Sequence, residues 1–139
     1  MIINGIEKRF VKRCFDFVLT NYKKVPFDKI KKADFALSNS SCHYNAVAAV
    51  NGGRADKVWM VWGGKEKGVI HFINSSKGVF FDETWNHYDN QDFYLIREVM
   101  PLEFDGIVDL LNASKRMMFN INGTLLSKYF GMKNLHRWI

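Results

Sequence analysis

The hydrophobic pattern of this chain changes period twice, and that change limits the possible folds more than any other feature. Residues 6–22, IEKRFVKRCFDFVLTNY, place Ile6, Phe10, Cys14, Phe17 and Val18 at three- and four-residue spacing. This spacing predicts a helix with one apolar stripe, with Lys8, Arg9, Lys12 and Arg13 on its wetter side. Residues 23–41 carry no period, contain Pro26 and a polar SNSS stretch, and read as irregular. Cys42 then opens a second helical stretch, CHYNAVAAV, with Ser40 or Ser41 at its N-cap. Asn51-Gly52-Gly53 stops it, the glycines permitting a left-handed residue.

Beyond the glycines the pattern becomes that of strands. KVWMVW (57–62), KGVIHFIN (67–74), GVFFDETW (78–85) and DFYLIREV (92–99) are dominated by aromatic and β-branched residues and are separated by Gly- and Ser-bearing turns. Past Pro101 the pattern is helical again, in LEFDGIVDLLNASKRMMF, then LLSKYF and a Trp-ended tail. Helix, helix, three or four antiparallel strands and helices make an α+β arrangement, a small meander packed on helices. With 139 residues and no repeat or linker, residues 1–139 read as one domain.

Composition sets the class. Hydrophobic residues are 47% and aromatic residues 15%, enough apolar surface to offset the entropy of ordering the chain, so disorder is excluded. The longest strictly apolar runs, Ala46 to Val50 and Val58 to Trp62, are far short of the roughly 20 residues a membrane helix needs, and no membrane role is expected. The net charge of +6 lies at one end: residues 1–32 hold nine basic and three acidic side chains, and the remaining residues hold eleven of each. A basic N-terminal helix could attract nucleic acid or an acidic protein. The plainer reading is a solvated helix face followed by a Lys-rich loop. Met1 to Gly5 gives way to charge with no apolar stretch behind it, so a cytoplasmic, reducing setting with both thiols free is expected.

The two cysteines differ in position. Cys14 lies on an apolar stripe, where a thiol is a small inert hydrophobe. Cys42 lies at a helix start, where unpaired N–H groups and the helix dipole favour negative charge on sulfur and can receive an oxyanion. A nucleophilic thiol needs a base, and the base an orienting partner. His71 and Asp82 fit these roles. A hairpin with an even loop centred on Ser76-Lys77 would set residues 71 and 82 directly opposite, on one face and close enough for a hydrogen bond. Asn45, three residues after Cys42, shares its helix face and would brace the site. His43 points about 100° away around the helix and reads as structural. His87 reads as a loop residue, and Trp59, Trp62 and Trp85 as core or groove wall. Cysteine and histidine spacings do not favour a metal site, and no cofactor is expected.

The run C-H-Y-N-A, a strand with H-F-I-N, and then G-V-F-F-D-E-T-W resembles the core of the transglutaminase-like branch of the papain-like cysteine enzymes. The resemblance covers about residues 38–86. It implies a Cys-bearing helix packed on a small antiparallel sheet, with Cys42, His71 and Asp82 as a triad and Thr84 completing D-x-T. Ala36 stands where a papain-like chain carries glutamine, six residues before the cysteine, and Asn39 or Ser40 is the candidate side-chain oxyanion donor in its place. The function expected is a cysteine-dependent hydrolase (protease, amidase or deamidase) or a transglutaminase-type acyltransferase on a protein, peptide or other amide substrate. The alternatives are a binding module that uses the basic helix, and the same fold with an inactive triad.

Overall fold

A computed structural model describes residues 2–26, 29–32, 41–63, 69–84 and 92–125. Among the described residues three α-helices, α1 (Ile2–Asn21), α2 (Cys42–Asn51) and α3 (Ile107–Asn122), accompany six strands: β1 (Lys23–Val25), β2 (Ile30–Lys32), β3 (Lys57–Gly63), β4 (Val69–Ser76), β5 (Val79–Asp82) and β6 (Phe93–Val99). The architecture is α+β. One sheet has the order β1-β6-β3-β4-β5-β2. Five neighbouring strands run antiparallel, and β2 joins the edge parallel to β5.

The irregular reading of 23–41 is thus corrected at residues 23–25 and 30–32. Lys23–Val25 pairs with Leu95 to Phe93, and Ile30–Lys32 pairs with Phe80 to Asp82. Each strand has three residues, too few to show a period, and each contributes one buried apolar side chain, Val25 and Ile30. Residues 33–40 lie outside the described residues, as do 64–68, 85–91 and 126–139, and with them Ala36, Asn39, Ser40, Trp85, His87 and most of the C-terminal segments.

The sheet is apolar on both faces. One carries Val58, Met60, Trp62, Ile70 and Phe72, and packs against Phe10, Cys14 and Val18 of α1, Ala46 of α2, and Ile107 and Met118 of α3. On the other, Val61, Ile73 and Phe93 meet Val25 and Ile30, with Trp59, Phe80 and Leu95 beside them. Phe10, Cys14 and Val18 are fully buried, so the α1 stripe is the one expected. Asn74 fastens α2 to the sheet: its Nδ2 donates to the carbonyls of Ala46 at 2.9 Å and Lys57 at 3.1 Å. This satisfies a polar side chain buried in the middle of the fold.

Two local devices set the geometry of the site. At the end of α2, Gly53 takes φ +73°, and Gly52 and Gly53 donate backward to Ala48 and Val50. At its start Ser41 occupies the cap position without a side-chain cap bond, so the expected hydroxyl cap is absent there. The β4–β5 hairpin turns at Lys77-Gly78, both with positive φ (50° and 79°). This is the two-residue primed turn that suits the twist of antiparallel strands. Asp56 Oδ2 accepts the Lys77 N–H at 2.7 Å and holds the turn.

Candidate active site

The turn moves the register from the one expected. Ser76 pairs with Val79, Ser75 with Phe80 and Asn74 with Phe81, so Asp82 falls opposite Ile73 rather than His71. The shift is two residues, and side chains alternate with period two, so His71 and Asp82 still share a face. They are diagonal neighbours instead of direct ones. Their side chains close the gap: His71 Nε2 lies 2.7 Å from Asp82 Oδ2, and both residues are about 1% exposed. Phe93 stacks on the imidazole at 5.9 Å with a 24° interplanar angle and excludes water from that side.

Alternation places His71 with Val61, its partner on β3, on the face of the second apolar cluster. The helices pack on the other face. His71 and Asp82 therefore stand on the face opposite the one that the helices cover. Cys42 is nevertheless close enough for its side chain to act on the ionisation of the His71 ring. The end of β5 explains how. β5 stops at Asp82, so among the described residues β4 has no strand neighbour on that side before Ile73. The first turn of α2 comes to this open edge, where Asn45 Nδ2 donates to Thr84 Oγ1 at 3.1 Å.

The imidazole therefore binds a carboxylate and feels a thiol. Burial, the largest single influence on its ionisation, favours the neutral ring. The hydrogen bond to Asp82 and its negative charge, with the Cys42 side chain, together outweigh it and push His71 up to about 9. The imidazolium is the form the site holds at neutral pH, with Nε2–H donating to Asp82 and Nδ1 carrying the second proton.

Asp82 is itself held. Its Oδ1 accepts the Thr84 N–H at 2.8 Å, an Asx-type turn that aims Oδ2 at the ring. Between them, Glu83 takes a two-pronged bond from Arg54, Nε to Oε1 at 3.0 Å and Nη2 to Oε2 at 3.1 Å. Both ends of α2 thus grip the Asp82-Glu83-Thr84 segment, Asn45 from the first turn and Arg54 from just past the last. Asn45 and Thr84 lie where the sequence pointed. Arg54 and Glu83 were not foreseen, because nothing local signals a pair 29 residues apart.

The remaining candidates separate cleanly. Cys14 is fully buried, and burial pushes its thiol up to about 12 against the opposing charge of Arg13. His43 is half-buried with its ring 6.3 Å from Phe72, and burial lowers its pKa. Among the described residues no group of three or more His, Cys, Asp or Glu side chains is placed to hold a metal ion, and no helix is long and apolar enough to cross a membrane. Both cysteines are free. No protein-family model, curated protein or solved structure matches the chain.

Proposed function

We propose that the protein is a thiol enzyme of papain-like or transglutaminase-like type, which cleaves or transfers an acyl group at an amide or related bond. The observation that carries this reading is the buried His71 ring, hydrogen-bonded to the Asp82 carboxylate and raised in pKa by Asp82 and by the Cys42 side chain. A buried histidine needs one partner for stability; a second partner that is a half-buried thiol at a helix start is an arrangement for nucleophilic catalysis.

The steps follow from the charges. With the thiol proton held on His71, the Cys42 sulfur attacks the carbonyl carbon, a C–S bond forms, the C=O π bond opens, and the oxygen gains negative charge. The Cys42 backbone N–H, one of the unpaired donors of the first turn of α2, stabilises that oxygen. His71 gives its proton to the departing amine as the C–N bond breaks, leaving a thioester and a neutral imidazole. Water or an acceptor amine then attacks the thioester. Its proton passes to His71, and the acyl group leaves sulfur. Asp82 fixes the ring orientation and stabilises the imidazolium at each end of the cycle.

The thioester is the distinguishing intermediate. Incubation with an activated ester followed by acid quench and intact-mass measurement is expected to show one acyl adduct, mapped to Cys42. No adduct, or an adduct on Cys14, would defeat the reading. The basic-helix alternative draws less support: Lys12 is paired with Asp16 at 2.8 Å, and Arg13 donates to the Asn122 carbonyl at 2.8 Å, so half of the four cations are already engaged.

A further inference from the structure

The pairing of β6 with β3 has one irregularity, and it decides which side chain reaches His71. On one side of it Met60 pairs with Arg97, and on the other Val61 pairs with Leu95. Ile96 is the extra residue of a β-bulge. Side chains alternate along a strand, so one extra residue exchanges the faces of everything beyond it. An unbroken register would set Tyr94 opposite Gly63 and put Phe93 on the helix-covered face. With the bulge, Phe93 pairs with Gly63. Tyr94 then joins the helix-covered cluster, and Phe93 joins the cluster on the His71 face.

Gly63 makes the reach possible. It lies on the His71 face, two residues beyond Val61, and its partner on β4 is Val69. β6 and β4 flank β3 and are not neighbours, so they lie about 10 Å apart. The rings of Phe93 and His71 nevertheless stack, with centroids 5.9 Å apart and planes at 24°. A side chain at position 63 would stand on the same face between the two strands; a glycine leaves that space open. The hydrogen bond from Nε2 to Asp82 fixes one atom of the imidazole but leaves the ring free to tilt about that bond. A flat neighbour removes the tilt. It also presents the negative face of an aromatic ring to a group that carries positive charge. The titratable groups that act on His71 are Asp82 of β5 and Cys42 of α2; its β3 partner Val61 and Phe93 of β6 are uncharged.

We propose that Phe93 is a positioning residue for the acid–base histidine: its ring holds the plane of the His71 imidazole and stabilises the positive charge that this ring carries while a proton passes from the Cys42 thiol to the departing amine. The bulge at Ile96 and the bare backbone at Gly63 are what bring it there. The role rests on the thiol-enzyme reading of the site.

Fluorinated rings test it on the whole protein. Replacing Phe93 by mono-, di- and trifluorinated phenylalanine keeps the shape of the side chain nearly unchanged, so the fold is preserved, and drains negative charge from the ring face in steps. NMR titration of the His71 ring reads the effect. The centroid separation is near the outer limit of about 6 Å for attraction between a cation and a ring face. The expected result is therefore a titration midpoint that falls in order of fluorine number, by about half a pH unit at the trifluorinated ring. The pH profile of Cys42 acylation by an activated ester should move with it. A midpoint that stays in place across the series overturns the proposal, and so does a midpoint that falls while the acylation profile does not follow. The thiol-enzyme reading has a separate readout in the unaltered protein. Absence of an acyl adduct on Cys42 there defeats that reading and the positioning role with it; an adduct with an unmoved midpoint defeats the positioning role alone.

Discussion

The two cysteines sit on different helices yet touch the same core, and their difference shows what makes a thiol chemical. Cys14 and Cys42 both contact the cluster around Phe72 and Met60. Cys14 is in the middle of α1, sealed on all sides, and burial raises its pKa to about 12. Cys42 is at the first position of α2, half-buried, and acts on a histidine whose pKa its bond to Asp82 helps raise. The same side chain is filler in one place and a candidate nucleophile in the other. Position along the helix and one buried ion pair account for the contrast.

The widest expected separation between them is in activity. Cys42→Ala should reduce acyl transfer by on the order of 10⁴-fold or more, the usual loss when a triad nucleophile is removed. Its stability should change by only about 1 kcal/mol. Cys14→Ala should do the reverse, keeping turnover and losing about 1 kcal/mol from a small core void. Urea denaturation and thioester formation on both variants check this. Equal activity losses would erase the distinction between the two sites.

The next effect is on the ion pair. Asp82→Ala leaves a buried imidazolium without its partner, a change that costs about 3–5 kcal/mol in comparable buried pairs. Asp82→Asn keeps a hydrogen-bonding side chain but not the charge, so it should be milder in stability while still lowering activity. NMR titration of the His71 ring should show its pKa falling in Asp82→Asn, because burial would then act with less opposition. A ring that titrates unchanged in that variant would mean Asp82 does not hold it.

The same pair makes stability depend on pH in one direction. His71 is raised in the folded protein to about 9, against about 6.5 in the unfolded chain. Its contribution is fully present below about pH 6.5 and is lost as pH rises through about 9, because the folded state binds the extra proton. The amount is a few kcal/mol at most. The control is a neutral pair, Asp82→Asn with His71→Gln, which should show a flatter profile between pH 6.5 and 10. Parallel profiles would remove His71 as the source.

Much of this site was legible in the sequence because alternation in a strand has period two. Any hairpin with an even loop brings His71 and Asp82 to one face, so a wrong register still gave the right neighbours. The helix start at Cys42 was legible from Gly52-Gly53 behind it and polar residues before it. The sheet order was not. β1 and β2 have three residues each and sit at opposite edges of the sheet, β2 by a parallel pairing that no local pattern announces. Nor was the face. His71 lies between Ile70 and Phe72 in a strand buried on both sides, so composition does not show which side the helices cover.

The smallest effect tests whether α2 positions the carboxylate as well as the thiol. Asn45 Nδ2 donates to Thr84 Oγ1, and the Thr84 N–H separately holds Asp82 Oδ1. Thr84→Val removes the hydroxyl and leaves the N–H, so it isolates the link from α2 to the Asp82 segment. Asn45→Ala removes the same link from the other side. A double-mutant cycle should give a coupling of about 1 kcal/mol in stability, the usual worth of a half-buried neutral hydrogen bond. If the link also aims Asp82, each single variant should slow thioester formation several-fold and lower the His71 pKa, and the double variant should add little to either. Coupling in stability with an unshifted His71 titration would show a bond that secures the helix without guiding the ring. Activity losses that simply add would show that Asn45 and Thr84 act on the site independently.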